Sequence, residues 1–495
     1  MKILAFAKIS ASVRPRALAH LALALAILLA LPAFAACSYG DWAGGPAAGA
    51  AESGGGGGGA GAGSSDGSGG AGGADANGSG SGNGGGGVTI TLIEALANPV
   101  RSEAIGKAAA DFMAENEGVE IELLSPPTEQ ASAKIAQMLM AGQDIDILEV
   151  RGWYMMQYID SGWIRPIDDL VSGWDGYGLI AKNMRQEALG KVWGLAIGQL
   201  RSGIFYRADW LAEAGLELPT GADWTFERLY ELALGMTDPS KNRYGWVFRG
   251  AGHAVDQFIG PYLASALGRE GTHSEEYLFT PGGGSIYRTD EAKRAFEMYI
   301  DLYKYCSPPD SGAWAFTQQL DAFTSGAACF MRQDSDAIPV LEANMGDDAW
   351  SIAPLPVGEK TRHTFKIDGK GGDFWGMTSF TEDRLAAWEF LKYIGSPQQS
   401  SRIALNTGLI PPHAGAFVGD PEYDRPFYRA FFYMDNHPEL YVASNFASDL
   451  PYASRMGEFA SMSDADIQSV LLGRADISET LERWAQFWED ARGAG

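Results

Sequence analysis

Three cysteines in 495 residues are too few for a disulfide framework or a thiolate metal cluster. Cys306 and Cys329 leave two readings open: a bridge formed in an oxidising compartment, or two separate buried thiols. Histidine is scarce too. The six present, His253, His273, His363 and His413 among them, are scattered without ligand spacing, so no metal site or cofactor is expected. Positive charge is in short supply, with 37 Lys and Arg against 62 Asp and Glu and a net charge of −25. That balance excludes a nucleic-acid partner, whose phosphates demand basic residues, and implies a solvated acidic surface. Long apolar runs are missing except near the start, where Leu21 to Leu31 is unbroken, long enough for a signal core and short for a membrane span. No nucleophile elbow, zinc-binding helix or phosphate loop is present.

What the chain does have begins with an address. Lys2, Lys8, Arg14 and Arg16 precede the apolar run, and small residues follow it up to Ala35-Ala36-Cys37. That tripeptide resembles the lipobox of bacterial lipoproteins, with Phe34 where a leucine is usual. The resemblance implies that residues 1–36 are removed and that Cys37 carries a lipid. Ordinary cleavage and an uncleaved anchor are the competing readings, and all three put the remainder outside the cytoplasm. Removal takes four positive charges and no acids, turning −25 into −29. Residues 37–87 are dominated by Gly, Ala and Ser, which have no apolar surface to bury, and read as a disordered tether.

The folded body starts at Val88. Val88 to Leu92, Val119 to Leu124 and Asp146 to Val150 read as strands; Ser102 to Asn116 and Thr128 to Ala141 read as helices. Strands alternating with helices imply an α/β fold with a largely parallel sheet, in which ligands sit beyond the carboxyl ends of the strands.

The order of later segments resembles the family 1 extracellular solute-binding proteins of ABC transporters. The matching stretches are Asp144 to Ile167, Gly190 to Asp209 (with Ala196 for the usual proline and Arg207-Ala208 for Asn-Lys), Leu211 to Leu229, Phe323 to Met331, Trp350 to Gly358, Gly371 to Tyr393, Gly408 to Pro411 and Leu472 to Ala485. The resemblance covers about 400 residues. It implies a two-lobed periplasmic-binding-protein-like fold of type II with the ligand cleft between the lobes. Crossings are expected near Gln199–Gly203, Cys329–Gln333 and Gly371–Gly376, with residues 88–200 plus 331–370 in the first lobe and 201–330 plus 371–495 in the second. It further implies a sugar-binding lipoprotein that works as a monomer, captures a carbohydrate outside the cytoplasm and delivers it to permease subunits by hinge closure.

Position within that pattern nominates the ligand contacts. Trp153 and Tyr154 follow a strand at its carboxyl end, where rings stack on sugar C–H faces. Arg201 lies on the first crossing, as a ligand contact or an interlobe ion pair. Gln257 is a cleft residue or a helix cap. Arg332, Gln333, Asp334 and Asp336 form a polar cluster where family sugar binders commonly have a tryptophan. Gly371, Gly372 and Asp373 accompany Trp375, a platform or a hinge core residue; Arg455 precedes the last helices. Two further readings stand: a carbohydrate-active hydrolase, for which Asp334 and Asp336 are the best carboxylate pair, and a binding protein that serves a sensor receptor.

Overall fold

The structure is a computed structural model that describes residues 87–268, 278–346, 348–367, 373–444 and 450–494. The expected signal segment, Cys37 and the tether up to residue 86 lie outside the described residues, as do Gly371 and Gly372.

Val, Ile and Thr open the body, and their branched side chains favour the pleated strand β1 (Val88–Ile93). It pairs in parallel with β2 (Val119–Leu124) and β3 (Ile147–Val150). The helix between β1 and β2 runs Pro99–Glu115, starting three residues before the apolar periodicity does. Capping is the reason: Asn98 Oδ1 accepts the Arg101 N–H at 2.9 Å, and Pro99 suits the first turn because its missing N–H has no partner to lose there. After the helix Thr128–Met140 and β3, the chain forms β4 (Gln186–Ala188) and β5 (Lys191–Ala196), which pair antiparallel.

Next come β6 (Ser202–Arg207), β7 (Tyr244–Trp246), β8 (Ala328–Asp334) and β9 (Trp350–Ala353), which build a separate four-stranded sheet in the order β7-β8-β6-β9. Strand β10 (Thr364–Ile367) pairs in parallel with β12 (Tyr441–Ser444), a two-stranded sheet among the described residues. Strand β11 (Phe374–Met377) returns to the first sheet, completing the order β2-β1-β3-β11-β5-β4.

Each sheet carries a core on both faces, as the two-residue period of a strand requires. In the first, Leu92, Ile147 and Trp375 face the helices Pro99–Glu115 and Arg384–Ile394, while Ile93, Leu148 and Phe374 join Tyr158 and Trp193 on the other side. In the second, Ile204, Trp246 and Phe330 pack with Trp224, Phe296, Trp484 and Trp488, and Phe205, Met331 and Ile352 pack with Phe323, Tyr428 and Phe431. Cys306 and Cys329 are free thiols inside the former cluster, each pushed up to about 12 by burial.

The result is a two-lobed α/β fold, with a sheet in each lobe and three chain crossings between them. The first and last crossings run through residues 197–201 and 408–411, and the other lies between β10, paired with β12 in the second lobe, and β11 in the first sheet. The first overlaps the stretch Gln199–Gly203 named from the sequence. The second expected crossing, Cys329–Gln333, is instead a central strand of the second sheet: Met331, Arg332 and Gln333 pair with Phe205, Ile204 and Gly203. The lobe boundaries move accordingly. The segment 331–370 gives β9 and the end of β8 to the second sheet, whereas β11 and the helices Arg384–Ile394 and Pro397–Thr407 belong with the first. A strand that runs between lobes and one that ends at the cleft share the same short apolar pattern, so periodicity alone does not separate them. Two crossings are tied together: Gln199 and Ile410 exchange both backbone hydrogen bonds, at 2.7 and 3.0 Å.

Candidate functional site

The carboxyl ends of β1, β3, β7 and β8 converge on a cleft between the two sheets, with about 450 Å³ not filled by protein atoms and part of that open to solvent. The first lobe contributes Leu96, Asn98, Thr128 and Arg151; the first crossing contributes Leu200; the second lobe contributes Arg249, His253, Asp256, Gln257, Phe316, Gln333, Asp334 and Asp336.

The first-lobe wall is held from behind by buried charge. Glu149, on β3, accepts the Ala95 and Leu96 N–H groups at 2.8 and 3.0 Å and the Arg101 guanidinium at 2.5 Å. Arg101 also lies 3.7 Å from Glu94, so one buried cation serves two buried carboxylates. Burial pushes the Glu149 carboxyl up, Arg101 opposes that, and Asp373 and Glu94 add to it. Thr128 donates to the Ala97 carbonyl at 2.7 Å, closing the loop that carries Leu96 and Asn98. Arg151 is fixed by Asp373, whose Oδ1 accepts both Arg151 Nε and the Gly152 N–H at 3.1 Å, and by the Trp153 ring 4.2 Å from its guanidinium carbon.

The second-lobe wall depends on an irregular turn. His253 adopts a left-handed backbone, φ 66°, next to Gly252 at φ 93°, a conformation that costs a residue with a Cβ and is found where the surroundings hold it. Here Asp464 holds it by accepting the His253 N–H at 2.9 Å. A π-helical turn, Val255–Ile259, follows; such wide turns are frequent at functional sites. It presents Asp256 and Gln257 to the cleft. Burial raises Asp256, but His253, 3.5 Å away, together with Arg332 and Arg151, outweighs it and holds the carboxyl below its usual range.

Strand β8 ends in the remaining polar groups. Gln333 is positioned by its side-chain Nε2, which donates to Gln319 Oε1 at 2.9 Å, and Asp334 accepts Ser202 Oγ at 2.6 Å and Arg332 at 3.0 Å. Asp336, two residues on, differs. Its Oδ1 is shielded from solvent and has no hydrogen-bond partner among the described residues. Burial, then Asp334, pushes its carboxyl up to about 7, with Arg101, Arg249 and Arg151 pulling back.

Of the residues nominated from sequence, Gln257, Gln333, Asp334 and Asp336 line the cleft. Arg332 and Asp373 stand behind it as partners of Asp334 and Arg151. Trp153 and Tyr154 sit at its edge, where the lobes touch: the Trp153 ring lies 5.6 Å from His253, and Tyr154 reaches the helix Met456–Leu471. Three nominated residues lie outside the cleft lining, two of them in the alternative settings the sequence left open, an ion pair for Arg201 and a core position for Trp375. Arg201 is engaged by Asp435 through two bonds of 3.0 Å, which tie the crossing to the second lobe. Trp375 is 3% exposed in the first-lobe core. Arg455 pairs with Glu458 and lies over Phe487, outside the cleft lining.

Leu96, Asn98, Thr128, Arg151, Arg249, His253, Asp256 and Phe316 were not nominated. A signal existed for Asn98 and Thr128, which head helices that follow strands; the π turn had none. Among the described residues no group of three or more His, Cys, Asp or Glu side chains is arranged to hold a metal ion, and no helix is long and apolar enough to cross a membrane. A second groove, more open and larger, with about 780 Å³ not filled by protein atoms and part of that open to solvent, is lined by the second-lobe residues Tyr423, Asp424, Arg429, Phe432, Tyr433, Asn436 and His437.

Two α/β lobes, three crossings and a polar cleft at the strand ends define a ligand-binding protein of the periplasmic type. The chain belongs to the bacterial extracellular solute-binding protein family, whose profile matches residues 97–400. Membership makes it a binding protein rather than an enzyme and places it outside the cytoplasm. It is 27% identical over 319 residues to the mannitol-binding protein of Pseudomonas aeruginosa, covering 60% of this chain and 69% of that one. Its fold is similar to a tagatose-bound ABC transporter solute-binding protein of Thermotoga lettingae (TM-score 0.68, 18% identity, 82% of this chain and 99% of the other). It is equally similar to maltose-bound MalE3 of T. maritima (TM-score 0.68, 17% identity, 82% and 100%).

Proposed function

We infer that the protein captures a small polyhydroxylated solute, a monosaccharide or its alditol, and delivers it to an ABC importer. The observation that carries this is the composition of the cleft wall. The wall combines the cations Arg151 and Arg249, the carboxylates Asp256, Asp334 and Asp336, and the amides of Asn98, Gln257 and Gln333. Adjacent hydroxyls of a sugar both donate and accept, and such a wall answers both roles with charge-assisted bonds. Phe316 offers a ring for the C–H face. The edge of the cleft is occupied by Trp153 against His253 and by Tyr154 against residue 457, which limits ligand length on that side. The mannitol-binding relative and the tagatose-bound neighbour agree with a ligand of this size; the maltose-bound neighbour extends the range by one ring.

Delivery to a membrane permease fits a tether that begins at a lipid-modified Cys37, and we read the protein as a monomer anchored in this way. Mass spectrometry of the N-terminal peptide from membranes tests the anchor: a diacylglyceryl mass on Cys37 is expected, and an unmodified peptide starting elsewhere overturns it.

Thermal unfolding against D-mannitol, D-tagatose and maltose tests the ligand class. A ligand that binds only the native state stabilises it by about 2.7 kcal/mol at a hundred times its Kd, and the midpoint rises with concentration accordingly. At least one of the three should do so and be recovered chemically unchanged. No shift with any of them, or cleavage of maltose, would sink this reading.

A further inference from the structure

Asp336 is the cleft carboxylate whose Oδ1 has no hydrogen-bond donor among the described residues. Asp334 is spent on Ser202 and Arg332, and Asp256 is held beside His253. Asp336 lines the same cavity with a solvent-shielded oxygen that no described residue satisfies. A buried acceptor with no donor costs free energy, and one that faces a cleft is open to completion by a donor from a water, an ion or a ligand. We propose that Asp336 couples ligand capture to a proton: in the empty cleft its carboxyl holds a proton, and a ligand hydroxyl that donates to Oδ1 displaces that proton to solvent.

The charges around it are consistent with a group poised between its two forms. Asp334 faces it from the end of β8 and favours the neutral acid. Arg249 follows β7 on the second lobe, while Arg151 and Arg101 belong to the first; all three favour the carboxylate. His253 and Asp256, on the π turn, also line the cavity, and they pair with each other. Burial wins in the empty state, which places the carboxyl at about 7. A donor arriving from the ligand adds to the arginine side of that balance, because a hydrogen bond to the charged form favours it. No oxidant or further reactant is needed: one O–H bond of the carboxyl breaks, the proton goes to water, and the ligand keeps its own hydroxyl proton as donor.

The linkage has a definite sign. Affinity rises with pH while the empty protein is the more protonated partner, and it levels off above the pH at which the empty carboxyl ionises. The inference rests on a polyol as ligand, and its test separates the two failures. Calorimetric titration of D-mannitol, or of whichever probe shifts the unfolding midpoint, is run at pH 6 and pH 8 and in buffers of different ionisation enthalpy. The expected result is about tenfold tighter binding at pH 8 with proton release near pH 7, and loss of both effects in Asp336→Asn. Equal affinity at the two pH values, or a pH dependence that survives in Asp336→Asn, overturns the proposal. Should no probe bind, the polyol reading fails by itself and the empty protein decides. Asp336→Asn should then raise the unfolding midpoint at pH 8, where the wild type holds an uncompensated buried carboxylate, and leave it unchanged at pH 4. Equal midpoints at both pH values would overturn the coupling.

Discussion

Side chains of similar type do opposite work in this protein, and burial decides which. Trp375 and Phe316 are both aromatic and close to strand ends. Trp375 packs between β11 and two helices in a closed core, so its truncation leaves a cavity worth about 3–5 kcal/mol. Phe316 lines the cleft, so its truncation removes a ligand surface instead. Trp375→Ala should therefore lower stability in chemical denaturation by that amount while the folded fraction keeps its affinity. Phe316→Ala should weaken D-mannitol binding about tenfold with little change in denaturation. Arg101 gives the electrostatic counterpart. It lies behind the wall rather than in it, and Arg101→Met should cost about 3–5 kcal/mol because Glu94 and Glu149 would remain buried without their cation. Gln257, Gln333, Asp334 and Asp336, named from their position after strands or family segments, do line the cleft. Sequence position left Trp375 open and overvalued Arg455, because aromatic and basic residues look alike whether they face a cleft, a core or a neighbouring carboxylate.

Elements were more legible than contacts. The periods that mark β1, β2, β3 and the first two helices came directly from the sequence, to within three residues at the ends. What failed was sheet membership. Strand β8 is as apolar as a crossing strand, and only its pairing with β6 reveals where it sits. The contact between the turn Gly152–Tyr154 and the helix Met456–Leu471 was equally hidden, because it depends on an absent side chain. A Cβ at Gly457 would lie 2.3 Å from Tyr154 Cδ1. The second lobe thus approaches the first through a glycine, while alanine would suit the helix itself better. Gly457→Ala should hold the lobes apart. A larger radius of gyration in X-ray scattering and weaker ligand binding are expected, without a drop in thermal midpoint. Unchanged affinity would mean that this contact plays no part in closure.

At the scale of the whole molecule, the fold and the cleft share a single logic. Two sheets with independent cores give two rigid walls. The crossings at residues 197–201 and 408–411 run side by side, joined by the Gln199–Ile410 pair, and anchor into both cores through Ile197, Leu409 and Ile410. Closure then brings the amides and carboxylates of one lobe against Arg151 and Asn98 of the other, and its driving force is whatever a ligand adds to both walls at once. The number and order of family segments made this architecture readable from sequence, while the residues that line the cleft are spread over strand ends, turns and loops far apart in the chain. A crystal structure grown with D-mannitol or D-tagatose tests the account most directly. It predicts the ligand between Arg151 and Asn98 on one side and Arg249, Gln257 and Asp336 on the other, with a hydroxyl on Asp336 Oδ1. A ligand seated instead in the groove of Tyr423, Tyr433 and His437, with the interlobe cleft empty, would contradict it.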